Sequence, residues 1–250
     1  MNAPMPARRT LAQALPGSCF VSGMAAGDGE QLGALAVVLA LRFLGLRVAA
    51  MTPLVADAVQ QSGRWSSPRL ECLGRASSFG VPPDVLSPYV LPPASSPSAA
   101  VQQAGARVEA RAVVETYEVL STWADAVVVA GVGGLDEPLG PALHVHEVAG
   151  RLALPLLLTL RADADAPRRA RRALDLTRAH GVRLAGWVAM GDTPGNADMR
   201  SRVADVLGMA PLGVVPSDAR ASADAVAHLD LQALHRALGM RGGPSPDAVH

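Results

Sequence analysis

The chain has 250 residues, half of them hydrophobic, and its 22 basic and 22 acidic residues give a formal net charge of zero. That balance excludes a basic surface large enough to drive nucleic-acid or anionic-membrane binding, and no apolar run reaches the ~18 residues needed to cross a bilayer. Every basic residue is arginine, so a mechanism that needs an ammonium group has no side chain to supply it. Residues 1–15 lack the long apolar core of a secretory signal, and Cys19 and Cys72 form no CxxC pair. A cytoplasmic protein with two buried free thiols is expected.

In chain order, residues 1–15 are expected as a flexible tail, 16–240 as one α/β domain and 241–250 as a second tail. An apolar run at 18–22 predicts a first strand, followed by a glycine-rich turn and an apolar helix over 30–44 that Gly45 ends. Residues 47–51 predict a second strand, stopped by Pro53. From 62 to 98 the chain is rich in Pro, Ser and Gly, which predicts a long irregular excursion with one short helix. A third strand is predicted at 126–130, running into Gly131, Gly133 and Gly134. Later strands are expected at 155–160, 184–189 and 212–215, with helices at 167–180 and 198–207. This alternation is the pattern of an α/β, doubly wound, mostly parallel sheet of at least six strands in a single domain.

Ligands of open parallel sheets sit beyond the carboxyl ends of the strands, so the turn after the first strand is the leading candidate site. It reads Ser22-Gly23-Met24-Ala25-Ala26-Gly27-Asp28-Gly29-Glu30-Gln31. A phosphate-binding loop needs glycines whose backbone amides curl around the anion, a lysine for the β and γ phosphates, and a Ser/Thr hydroxyl for Mg²⁺. The glycines Gly23, Gly27 and Gly29 are present; Glu30 and Gln31 stand in the other two places. Glu30 is expected to complement the helix dipole and to bond the free N–H groups of the turn itself.

Other residues carry two readings each. Gly131, Gly133 and Gly134 suit either a ligand-facing turn or close packing. His144, His146 and Glu147 are metal-ligand types, but their spacing is unspecific and a solvated helix start is the favoured reading. Arg168, Arg169, Arg171 and Arg172 at a helix opening could hold an anion, yet a solvated basic face is favoured over that. Asp163 and Asp165 are expected as caps or as partners of those arginines, and Trp123 and Trp187 as core residues. No serine, histidine or cysteine can be paired with a base and an orienting group, so no catalytic residue is assigned.

The sequence resembles the dethiobiotin synthetase family over residues 18 to 216. That family uses a variant phosphate loop with five residues between the flanking glycines, the spacing of Gly23 to Gly29. The likeness continues through Phe20-Val21-Ser22-Gly23, Thr52-Pro53-Leu54, Ser87-Pro88-Tyr89 and Val129-Ala130-Gly131-Val132-Gly133-Gly134-Leu135 with Pro138-Leu139. It extends to Leu154-Pro155, Leu184-Ala185-Gly186-Trp187-Val188-Ala189 and Leu212-Gly213-Val214-Val215-Pro216. The resemblance implies a sheet of the P-loop NTPase type and an ATP- and Mg²⁺-dependent carboxylation and ring closure of 7,8-diaminononanoate in biotin synthesis. It also implies a homodimer with its substrate pocket at the subunit junction.

Placed on this chain, the family's functional positions carry other residues. The loop lysine falls on Glu30 and the Mg²⁺-binding hydroxyl on Gln31. The second lysine falls on Thr52, the acidic metal ligand on Ala130, and the aspartate of the long excursion on Pro68. The adenine-reading asparagine falls near Met190, and the Asn-His pair of a later helix on Arg168-Arg169. The expectation is therefore a degenerate member, with vestigial nucleotide, substrate and metal positions and with neither ATP nor Mg²⁺ bound. It would be a binding or regulatory subunit, open to a small-molecule ligand, and a homodimer or a heteromeric partner of an intact synthetase. A synthetase working through a rearranged site, with arginines such as Arg168 in place of lysine, stands as the alternative.

Overall fold

The computed structural model describes residues 15–61, 63–141, 143–191, 196–216 and 223–240. The expected tails, residue 15 apart, lie outside them. The chain begins with β1 (Cys19–Gly23), α1 (Glu30–Phe43) and β2 (Val48–Met51), and continues through β3 (Val59–Gln61), β4 (Arg64–Ser66) and α2 (Pro68–Ala76). Next come α3 (Pro83–Leu86), α4 (Pro97–Gln103), α5 (Ala110–Ser121) and β5 (Ala126–Ala130). Then follow β6 (Pro138–Gly140), β7 (Leu143–His144), α6 (Val145–Leu152), β8 (Leu156–Arg161), α7 (Ala166–Ala179) and β9 (Leu184–Met190). The described chain closes with α8 (Asn196–Leu207), β10 (Val214–Val215), α9 (Ala223–Ala227) and α10 (Leu231–Ala237).

Six strands form one sheet in the order β10-β9-β8-β1-β5-β2, and every pairing within it is parallel. Strands buried on both faces need apolar residues at consecutive positions, which is why VVVA in β5 and LLLTL in β8 read as continuous runs. Their alternation still sorts two cores. Phe20, Val127, Val129, Leu156, Leu158 and Trp187 pack on one face. Val21, Ala126, Val128, Leu157 and Val188 pack on the other, beneath α1. β1 lies centrally between β5 and β8, so the loop leaving its carboxyl end opens in the middle of the sheet edge.

The expected irregular excursion over 62–98 is instead ordered by a β3–β4 hairpin, α2, α3 and the start of α4. Two of these helices start at a Ser-Pro pair. Ser67 and Ser96 accept hydrogen bonds from Leu70 N (3.3 Å) and Ala99 N (3.1 Å), with proline in the first turn. Three further expectations fail. Trp123 is 38% exposed just beyond α5, while Trp187 is buried as expected. Cys72 is only half-buried in α2, whereas burial of Cys19 in β1 pushes its thiol pKa well up. Of the arginine-rich opening of α7, Arg169 turns inward rather than lying on a solvated face.

Candidate functional site

The loop between β1 and α1 is closed around one of its own side chains. Gly27 and Gly29 adopt φ of 88° and 80°, a region that favours glycine, and these two turns fold Asp28 back into the loop. The Asp28 carboxylate is 2% exposed. Its Oδ2 accepts the backbone N–H groups of Met24 and Ala25, both at 3.1 Å. Its Oδ1 accepts the Arg161 N–H at 3.2 Å and lies 3.2 Å from the Arg169 guanidinium. Amides that curl around an anion thus have one, supplied by the chain itself. A Cβ on Gly23 would fall 2.5 Å from Cβ of Asp28, so the loop is too tight there for any other residue.

Sequence reasoning assigned this self-bonding to Glu30; the structure gives it to Asp28. The acid in the Gly27-Asp28-Gly29 triplet was the available signal, since flanking glycines allow the reversal that points its carboxylate inward. Arg169 was hidden in the basic run of α7. It donates to Asp163 Oδ1 (2.9 Å) and to the Arg161 carbonyl (2.8 Å), besides its contact with Asp28. Arg168, by contrast, points outward to Asp165, and Arg172 pairs with Asp136. The anion reading of the arginines therefore holds in altered form, because the anions are the protein's own aspartates. Partial burial tends to raise the Asp163 pKa, but hydrogen bonding and charge from Arg169 outweigh it and leave that carboxyl below its ordinary value.

Glu30 opens α1 and is almost buried. Its carboxylate lies 3.7 Å from Arg69, in the first turn of α2 directly after Pro68. Arg69 also donates to the Gly131 carbonyl at 2.5 Å, tying α2 to the loop after β5. Burial pushes the Arg69 pKa down, and the carboxylates of Glu30 and Asp57 oppose that shift. A guanidinium thus stands beside the acid that takes the usual place of a lysine, and Asp28 and Glu30 each face an arginine. Nothing in the spacing of Pro68 and Arg69 predicted that pairing, because the two segments meet only through the tertiary fold.

The remaining sequence-derived positions fall around this centre. Gln31 follows Glu30 in α1 and is half-buried. Met190 closes the loop from β9: a Cβ on Gly29 would fall 2.7 Å from its Cε. Ala130 ends β5, buried and without a polar group. Gly131, Gly133 and Gly134 are packing positions. A Cβ on Gly134, where φ is 122°, would lie 2.6 Å from the Met24 carbonyl oxygen. The Leu135 N–H donates to the Gly23 carbonyl at 2.9 Å, which locks the two loops together. Thr52 is buried and engaged elsewhere, its N–H on Leu86 O (2.9 Å) and its hydroxyl on Leu54 O (3.3 Å).

Another polar cluster surrounds the start of α6. The Glu147 carboxylate accepts the His144 N–H at 2.7 Å, capping the helix. His146 is buried, not solvated; its Nδ1 lies 2.9 Å from the Leu135 carbonyl, and its ring lies 4.2 Å from that of His180 at the end of α7. Burial lowers the His146 pKa and favours the neutral imidazole.

Comparison with known proteins agrees with this architecture. Residues 18–225 match the AAA_26 family model, described as an AAA domain. The chain is 30% identical over 220 residues to the ATP-dependent dethiobiotin synthetase BioD of Ralstonia nicotianae, covering 86% of this chain and 96% of that one. Among solved structures it is similar to the ATP complex of a McdA variant from Cyanothece (TM-score 0.55, 12% identity, 93% of this chain and 100% of that one). It is also similar to the MinC:MinD cell division protein complex of Aquifex aeolicus (TM-score 0.52, 14% identity, 92% and 98%). At such identities these structures establish a shared P-loop-type fold, while the match to the synthetase extends over most of both chains. The chain belongs to the dethiobiotin synthetase family.

Proposed function

We propose that this family member is a non-catalytic binding or regulatory subunit of cytoplasmic biotin biosynthesis, holding neither ATP nor Mg²⁺. In this reading it works as a homodimer or beside an intact, related synthetase. One observation carries the reading: the Asp28 carboxylate lies inside the glycine-rich loop and takes two of its backbone amides, those of Met24 and Ala25. Glu30 adds a second negative charge at the helix start. Two unit charges at 4 Å interact by about 4 kcal/mol at an effective dielectric of 20, so each carboxylate opposes a triphosphate to the extent that Arg69 and Arg169 leave its charge uncompensated. Gln31, Ala130 and Pro68 supply no carboxylate for a magnesium cage. Calorimetric titration with MgATP tests the reading: no saturable heat up to millimolar nucleotide is expected, and micromolar affinity would defeat it.

An alternative, a working synthetase with a rearranged site, is favoured by one observation. The guanidiniums of Arg69 and Arg169 lie inside the site and are of the kind that grips phosphate in a planar fork. Both are paired with internal acids, which weighs against it. A turnover assay with bicarbonate, ATP and 7,8-diaminononanoate separates the two readings: product above background supports the working enzyme, and a blank beside an active control ends it. Co-purification with an intact family member tests the heteromeric form of the non-catalytic reading.

A further inference from the structure

We propose that His144, His146 and Glu147 form a binding site for a borderline divalent transition metal, with Zn²⁺ as the reference ion. Each offers one ligand atom, and the three atoms lie within 4.8 Å of one another. Two imidazoles and a carboxylate are a donor set suited to Zn²⁺ or Co²⁺ rather than to Mg²⁺ or Ca²⁺.

The orientation of His146 carries the argument beyond residue types. The Leu135 carbonyl can only accept, so Nδ1 at 2.9 Å from it bears the proton and Nε2 is left with a free lone pair. A metal-ligating histidine is commonly held in this way, its other nitrogen donating to a backbone carbonyl that fixes tautomer and ring plane. Glu147 is likewise fixed, through Oε2, by the His144 N–H at 2.7 Å, which leaves Oε1 available.

Ligand atoms of a tetrahedral ion at ~2.0–2.2 Å stand roughly 3.3–3.6 Å apart. Closing from the present spacing needs rotation of His144 and a swing of the free Glu147 oxygen about its capped Oε2, and the two side chains are 39% and 30% exposed. That exposure also provides the entry path. His180, at the end of α7, packs its ring 4.2 Å from that of His146 and helps hold it in place. The site is independent of the first loop, but it is mechanically joined to it. The same Leu135 that orients His146 donates its N–H to Gly23, so an ion here would stiffen the double-glycine loop.

The test is titration of the tag-free full chain with ZnCl₂, and with CoCl₂ followed by visible absorption. One equivalent per chain and an intense tetrahedral cobalt band are expected. His144→Ala and Glu147→Gln should each weaken Zn²⁺ at least about tenfold. The glutamine keeps an oxygen for the helix cap, so Glu147→Gln is expected to retain the wild-type melting temperature without metal, whereas His144→Ala also removes the N-cap side chain of α6 and is expected to stay folded with a slightly lowered one. His228→Ala, at an exposed position outside the cluster, should bind as the parent does. Absence of saturable binding would overturn the proposal, and so would binding left unchanged in the His144→Ala, Glu147→Gln double variant.

Discussion

Asp28 and His146 are both buried polar side chains, yet their surroundings are built in opposite ways. Asp28 is saturated: three backbone amides and a guanidinium converge on its two oxygens, and its charge is balanced where it sits. His146 is anchored by a backbone carbonyl on one side only, and its neighbours include two other ligand-type groups. The Asp28 carboxylate is spent on the chain's own donors, although the buried Nε atoms of Arg69 and Arg169 have no hydrogen-bond partner among the described residues. The His146 cluster reads in sequence as an ordinary helix start, yet it keeps lone pairs of the kind a metal takes. A binding motif is thus better judged by which donors and acceptors remain unspent than by the residues that spell it.

The largest expected effect comes from removing the saturated group. Asp28→Ala leaves Arg169 without its buried partner and should cost about 3–5 kcal/mol in denaturant unfolding. An unchanged midpoint would break the contrast. Gly134→Ala places a methyl 2.6 Å from the Met24 carbonyl at a positive φ, and a loss of about 3 kcal/mol is expected by the same measurement. Glu30→Lys sets a like charge against Arg69 and should cost about 2 kcal/mol, between the values for surface and buried pairs. On the proposed reading that the chain holds no MgATP, the variant should also show no binding in calorimetry, because Asp28 still fills the loop; affinity gained from this change alone would show that Glu30 was the sole obstacle.

The smallest effect concerns pH. Asp163 has its folded pKa depressed below 3.8, so its stabilising contribution is complete above that value and fades as pH falls through the lower folded one. Asp163→Asn should therefore flatten the acid limb of the unfolding profile below about pH 4 by a few tenths of a kcal/mol.

The central sheet was legible because strands buried on both faces leave no choice but apolar runs, and β1, β2, β5, β8 and β9 fall within a residue or two of their expected places. Of the helices between β2 and α5 only one short one was expected, although Ser67-Pro68 and Ser96-Pro97 announce two, since Pro- and Ser-rich composition masked the capping signal. The first loop was legible as a glycine-rich turn between a strand and a helix, with Glu30 and Gln31 at the helix start. Its actual occupant was not, because direction of a side chain inside a loop is set by backbone turns at Gly27 and Gly29. Arg69 and Arg169 were illegible for another reason. Their burial depends on which segments the sheet brings together, and in sequence they sit among arginines that remain on the surface.

The donors to Asp28 come from three separate stretches of chain: its own loop, the end of β8 and the body of α7. A single side chain therefore works as a rivet through three parts, and its removal loosens all of them before any new ligand can take its place. If the loop holds no nucleotide, as proposed, a descendant regaining one would have to cross that weakened intermediate first, and the change would act as an evolutionary ratchet.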